Sequence, residues 1–454
     1  MADAPPTEPS YRAPSPRRVA VAIYLAAVLV YALFAGDRLR THSPDNHFAY
    51  LADSFLHRTL EVRCNDDLAH HVACPPGNGG NDWARYNGRW FVAFPPFPAV
   101  LYLAPVAVLG RDFPNRAYDV LLAGIAPALL FLLLDALARR GLSARTFREN
   151  LGLTALFAFG TVFFFTAVQG AVWFTAHVVA VALAAGFVLA SLDARSPLLA
   201  GMLAGMALHT RPPMLLMCLF FGLEAVRAHR LGAGPEVPSD AWLPRFGAYL
   251  RETDWRAVLR KVAVFAVPVV IALALSMAFN KARFGATGET GYQYLQIRWQ
   301  ARIQRWGLFN FHYLSRNLAV ALALLPWITR SAPFVQISRH GLALWVTTPQ
   351  YLGLLHPSRR SAVGVHLLVT AAAVACLDLL YQNSGWVQFG YRFSNDYAVL
   401  LVAALAVLGR SWKKGAWLLL AVAIAVNTFG AATFDRPNAV YQGDNTADGM
   451  FQPD

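Results

Sequence analysis

The sequence predicts an all-α, polytopic transmembrane helix bundle of about eleven spans, with a range of about ten to thirteen. Three observations lead there. The chain has 454 residues, 56% of them hydrophobic and only 14% charged, with a mean hydropathy of +0.40. In water such a composition would leave large apolar patches uncovered. Apolar runs recur at the length a bilayer requires, about 20 residues each. The net charge of +13 comes from Lys and Arg gathered in short connectors between those runs. That is the placement that orients a membrane protein, and it argues against a nucleic-acid surface.

Taken in order, residues 1–18 form a Pro-rich basic tail expected in the cytoplasm, and the run 19–36 lacks a following cleavage site, so it reads as a retained anchor. Residues 37–117 make a first large outer loop with interfacial helices. Further runs lie at 118–137, 151–168, 171–192, 262–280, 361–381 and 416–433. Shorter ones lie at 197–210 with 212–228, 342–356 and 396–409. The Pro-flanked pieces 91–110 and 314–328 must not change sides if every basic connector is to stay in the cytoplasm. The connector 229–260 is then a cytoplasmic loop with one surface helix near Trp255 to Lys261. The membrane domain covers 19–434, and 435–454 is an acidic outer tail.

The long stretches on the outer face carry the candidate chemistry. In the first loop, Ser43 and Pro44 are placed to open a helix with Asp45 in its first turn, where the dipole favours a carboxylate. Phe48, Leu51, Ala52 and Phe55 follow at i, i+3, i+4 and i+7, so this helix should lie on the bilayer surface. A carboxylate there serves equally as a cap or as a functional acid. Asp53 points roughly 80° away on such a helix and makes a poor partner for shared metal coordination. Asn87-Gly88-Arg89-Trp90 reads as a tight turn, and Pro95-Pro96 can open the next helix. Arg89 is either a phosphate contact or an ordinary interfacial arginine.

His177 is an ionisable group near the outer end of a span, and Arg211 interrupts an apolar stretch. A charge at a helix centre costs about 2.5–3.5 kcal/mol, so Arg211 belongs at a hairpin tip or beside a polar cavity. Two outer boundary segments join arginine to glycines and aromatics. One runs from Asn280 through Arg283 to Tyr292 and Tyr294; the other is Gly390-Tyr391-Arg392-Phe393. Guanidinium groups hold phosphate and aromatic faces stack on sugar rings.

The chain has four cysteines; Cys218 and Cys376 lie in apolar spans, whereas Cys64 and Cys74 share the first outer loop. The latter pair is either a disulfide or two free thiols. His70 and His71 lie between them, in a spacing that matches no metal pattern.

With those residues in view, the layout resembles the GT-C superfamily of membrane glycosyltransferases, in particular bacterial dolichyl-phosphate-mannose and aminoarabinose transferase-like proteins. The resemblance rests on Asp45, Pro95-Pro96, His177, the Asn280 to Tyr294 segment and Gly390-Tyr391-Arg392-Phe393. It implies an inverting transfer of a sugar from a polyprenyl-phosphate donor to a glycan, lipid or protein acceptor of the cell envelope, on the outer face of a bacterial inner membrane. It also implies Asp45 as general base, with Arg392 and Arg211 or Arg283 on the lipid phosphate. Many relatives carry paired acids where Asn46 and His47 stand here, so no cofactor is expected with certainty and a divalent metal is in doubt. The alternatives are a transporter or flippase of lipid-linked glycans and a non-catalytic scaffold. No inverted repeat is visible, and polar weight falls on one side of the membrane, which disfavours transport.

Overall fold

Proline opens and glycine closes the first span. Pro16 stands at the head of α1 (Pro16–Ala35), and Gly36, at φ 57°, ends it, as expected from the fixed φ of one and the freedom of the other. The computed structural model describes residues 15–63, 82–231, 251–436 and 439–441. After α1 come α2 (His47–Leu56), a hairpin of β1 (Trp83–Tyr86) and β2 (Arg89–Val92), α3 (Phe97–Leu109), α4 (Asn115–Ala123), α5 (Ile125–Arg139), α6 (Phe147–Phe159) and α7 (Phe163–Ala167). Then follow α8 (Val172–Ser191), α9 (Pro197–Leu208), α10 (Cys218–Ala228), α11 (Trp255–Phe284), α12 (Gln300–Trp306), α13 (Leu314–Leu322), α14 (Leu344–Thr347), α15 (Ala362–Leu379), α16 (Asn395–Leu408) and α17 (Lys414–Thr433).

Among the described residues, six helical stretches are long and apolar enough to cross a bilayer: Pro16–Arg40, Asn115–Arg139, Val172–Ala194, Trp255–Phe284, Ala362–Leu379 and Lys414–Thr433. Their outward faces are apolar. Val21, Leu25, Leu29 and Leu33 line one side of α1 and are 59–70% exposed, a stripe that lipid accepts and water would not. The chain is an integral, polytopic and mostly helical membrane protein.

Several elements differ from expectation. The run 151–168 is broken at Gly160, with α6 before it and the short α7 after. Residues 342–356 form one α turn and a 3-10 stretch, Pro349–Leu355, and 314–328 stops being helical after Leu322. The expected surface helix at Trp255 is the start of the 30-residue α11. Asp254 caps it by accepting from the Ala257 N–H, and the apolar pattern then runs on without interruption. The Asn87-Gly88 turn closes a β-hairpin with Trp83 opposite Val92 and Tyr86 opposite Arg89. Both turn residues have positive φ, 49° and 79°, the conformation that matches the twist of paired strands.

α9 and α11 approach closely because Gly201 and Gly205 face α11. A Cβ at Gly201 would stand 2.2 Å from the Phe265 carbonyl oxygen, and one at Gly205 2.9 Å from the Ala272 Cβ. Small residues four apart let membrane helices touch along their backbones. At the far end of α9 the His209 carbonyl accepts from the Phe97 N–H at 2.8 Å, so the α9 tip meets the outer loop. One large core runs through the bundle; a second, built from α2, α3, the hairpin and the head of α8, sits on top of it.

Candidate functional site

Asp45 stands in the turn before α2, not in the first turn of the helix. The helix begins at His47, and no acid occupies its first turn. Ser43 serves the loop and not the helix end: its N–H donates to Asn115 Oδ1 at 2.8 Å, and its hydroxyl accepts from the Asp45 N–H at 3.3 Å. The Asp45 carbonyl accepts from the Val172 N–H at 2.9 Å, while His47 stacks on Trp83 with ring centroids 4.1 Å apart. The Asp45 carboxyl is half-buried, and burial, reinforced by the negative Asp435, pushes its pKa up to about 6 against the pull of Arg116.

A second acid joins it. Asp82 accepts a hydrogen bond from the Trp173 indole at 2.8 Å and takes the left-handed backbone conformation, φ 59°, which aspartate tolerates better than most residues. Burial raises its pKa to about 6; the Trp173 bond and Arg392 pull it down, and Asp45 pushes it up. Asp82 therefore senses both the first-loop acid and the late arginine. Little in the local sequence marks Asp82, which ends a polar run without helical or strand period; the adjacent Trp83 is its one visible signal.

Arg392, whose charge Asp82 feels, is only 5% exposed. Its Nη1 donates to the Val387 carbonyl at 3.0 Å, and its guanidinium lies 5.3 Å from the Phe174 ring centre and 5.5 Å from that of Phe393. Its Nε has no hydrogen-bond partner. Among the described residues no carboxylate lies within ion-pairing distance of it.

Arg211 stands, as its cost inside an apolar helix demands, at the tip between α9 and α10. Its Nε donates to both Asp396 oxygens at 2.7 and 2.6 Å, and its Nη2 lies 3.7 Å from Asp378. His177 Nδ1 bonds the same Asp396 at 2.9 Å. Buried atoms remain over: His177 Nε2, Asp378 Oδ2 and the Tyr391 hydroxyl have no partner. Tyr292 and Tyr381 complete the group, since both feel the charges of Asp82 and Arg211.

The expected set is thus partly gathered. Asp45, His177, Arg211, Tyr292, Tyr391 and Arg392 line one region together with the unforeseen Asp82, Asp378 and Asp396. Arg283 sits at its edge, where it donates to the Val92 carbonyl and to Asn280 Oδ1 and lies over Phe279 at 3.8 Å; it fastens α11 to the hairpin. Arg89 does not join, being 69% exposed and paired with Glu61 at 3.3 Å. Asp53 is engaged by Arg63 and Arg111, each at 3.7 Å. Cys64 and Cys74 lie outside the described residues, as do His70 and His71. Among the described residues no group of three or more His, Cys, Asp or Glu side chains is placed to hold a metal.

No protein-family profile matches the sequence, and no curated protein does. Among solved structures, ArnT from Cupriavidus metallidurans bound to undecaprenyl phosphate is similar over 89% of this chain and 63% of its own, at 13% identity and a TM-score of 0.49. The Archaeoglobus fulgidus oligosaccharyltransferase AglB, in complex with an inhibitory peptide and a dolichol-phosphate, is similar over 91% of this chain and 55% of its own, at 13% identity and a TM-score of 0.43. The chain therefore spans less than two thirds of the length of either.

Proposed function

We propose that this protein is a membrane glycosyltransferase that moves a sugar from a polyprenyl-phosphate donor to an envelope acceptor on the outer face of a bacterial inner membrane. One observation carries the reading: Arg392 is a buried cation without a carboxylate partner among the described residues, and Asp82 feels its charge together with that of Asp45. A buried guanidinium left unpaired is costly, and an anionic ligand removes that cost. Phosphate is the anion that a planar guanidinium suits best.

In this mechanism the donor phosphate lies against Arg392, with Arg211 adding charge and Asp396 and Asp378 fixing the Arg211 fork. Asp45, ionised above about pH 6, takes the proton of the acceptor hydroxyl. The acceptor oxygen bonds to the anomeric carbon as the bond from that carbon to the phosphate oxygen breaks. The electron pair leaves with the polyprenyl phosphate, whose anion Arg392 stabilises. Attack from the face opposite the phosphate inverts the anomeric centre. Asp82, held by Trp173, orients the sugar from the side of the acids, and Tyr292 and Tyr391 wall the donor pocket. A divalent ion would be held by Asp45 and Asp82 and completed by phosphate oxygens and water, the mode in which magnesium uses one or two carboxylates.

The test is transfer by the purified protein supplied with polyprenyl-phosphate sugars. Wild type is expected to transfer and Asp45→Asn to fail; labelled lipid crossing the bilayer in both proteins, without transfer, would refute the enzyme reading. Side-specific labelling of cysteines introduced at the exposed Ala144 and Gln293 tests orientation. The first should react only from the cytoplasm and the second only from outside.

A further inference from the structure

On the membrane face opposite Asp45, a cavity of about 450 Å³ opens where α9, α10 and α11 meet, lined by Pro197, His229, Ala257, Arg260, Lys261 and Val264. Its polar lining is entirely basic. The acids around it are already engaged: Asp254 caps α11, Glu252 pairs with Arg230 at 3.0 Å, and Asp193 pairs with Arg140 at 3.0 Å and with Arg227. Arg260 and Lys261 have no such partner among the described residues. Pro197 brings the N-terminus of α9 to the same cavity, and no side chain caps that helix, so its unsatisfied N–H groups add partial positive charge.

The cavity is continuous with the lipid-facing surface. Val264 both lines it and is 40% exposed. From there Val267 and Ile271 on α11, 55% and 54% exposed, and Leu198 on α9, 53% exposed, carry the apolar surface toward the bilayer centre. A basic niche at the headgroup level above an apolar track fits one ligand shape: a phosphate diester with acyl chains. A free phosphate would leave the track unused.

We propose that this niche binds an anionic glycerophospholipid, with its phosphate on Arg260, Lys261 and the α9 N-terminus and its chains along α9 and α11. The site is independent of the sugar-transfer reading. Positive side chains near a membrane surface contribute about 1 kcal/mol each toward anionic lipid, roughly fivefold per residue.

The test titrates the purified full chain in detergent with phosphatidylglycerol or phosphatidylcholine and counts bound lipid by native mass spectrometry. Phosphatidylglycerol should bind and phosphatidylcholine should bind at least about tenfold more weakly. The Arg260→Gln/Lys261→Gln pair should lose about tenfold or more of the phosphatidylglycerol affinity. The Lys413→Gln/Lys414→Gln pair, equal in charge change and away from the cavity, should lose none. Equal binding of the two lipids, equal loss in the two variants, or displacement by excess sn-glycerol 3-phosphate would overturn the proposal. In wild type alone, a photoreactive phosphatidylglycerol should label residues 197–202 and 257–271; labelling confined to other surfaces would equally refute it.

Discussion

Two clusters of buried charge occupy opposite faces of this bundle, and they are balanced differently. Away from Asp45, Glu224 accepts from Arg227 and from His366 at 2.9 Å, and Asp193 receives Arg227 and Arg140. Every carboxylate there has its cations, and the network ties α10 to α15 and to the ends of α5 and α8. On the Asp45 face, Arg211 is bracketed by Asp396 and Asp378, but Arg392 has no acid of its own, and His177, Asp378 and Tyr391 each keep a buried polar atom unmatched. A closed network holds helices together; an open one leaves room for a charged ligand. The difference separates scaffold from site better than residue type does, because arginine, aspartate and histidine occur in both.

The sharpest way to break this comparison is Asp45→Asn, expected to lower sugar transfer by about 10²- to 10⁴-fold, the range for a positioned general base, with thermal unfolding unchanged or improved. Transfer at wild-type rate would dissolve the distinction. Arg392→Gln should cost roughly 10²- to 10³-fold in turnover. It should not lower the unfolding midpoint, since it removes an unpaired buried charge; a large fall in midpoint would class Arg392 with the scaffold.

In the closed network the pattern should reverse. Arg227→Met leaves Glu224 short of its cation and should cost about 3–5 kcal/mol of stability, read as a lower unfolding midpoint, while the folded fraction keeps its turnover. Next in size is the pH dependence. The transfer rate should rise as pH passes about 6, where the Asp45 carboxyl ionises, and Asp435→Asn should move that limb to lower pH by removing a repelling charge. For stability the sign is opposite. A carboxyl whose folded pKa lies above its unfolded value favours folding when protonated, so its contribution falls as pH rises from about 4 through about 6. The smallest effect is expected of Arg89→Ala. Its exposed pair with Glu61 is worth about 1 kcal/mol at most, and turnover should stay within about twofold of wild type.

Much of the helical architecture was legible because hydropathy reports directly on the bilayer. Arg211 was correctly placed because a lone charge in an apolar stretch has few affordable positions. What was not legible depends on contacts between distant segments. Asp396 stood in view beside Arg392, yet its pairing with Arg211 and His177 exists only once α8, α9 and α16 converge. Asp82 gained its place from an indole 91 residues away. Local rules also misplaced the start of α2. Ser43 has the chemistry of a cap, but its hydroxyl closes a local turn on the Asp45 N–H, and the helix begins four residues after Ser43.

The opening turns of α8 touch four residues of the site. Val172 holds the Asp45 carbonyl, Trp173 the Asp82 carboxylate, Phe174 lies beneath Arg392, and His177 reaches Asp396. A single rigid rod therefore serves as the jig that spaces the proposed base, Asp45, from the proposed anion clamp, Arg392. Inserting one amino acid after Ala171 would displace the Val172 N–H from the Asp45 carbonyl and swing the Trp173, Phe174 and His177 side chains by about 100°, although no charged residue would have been altered.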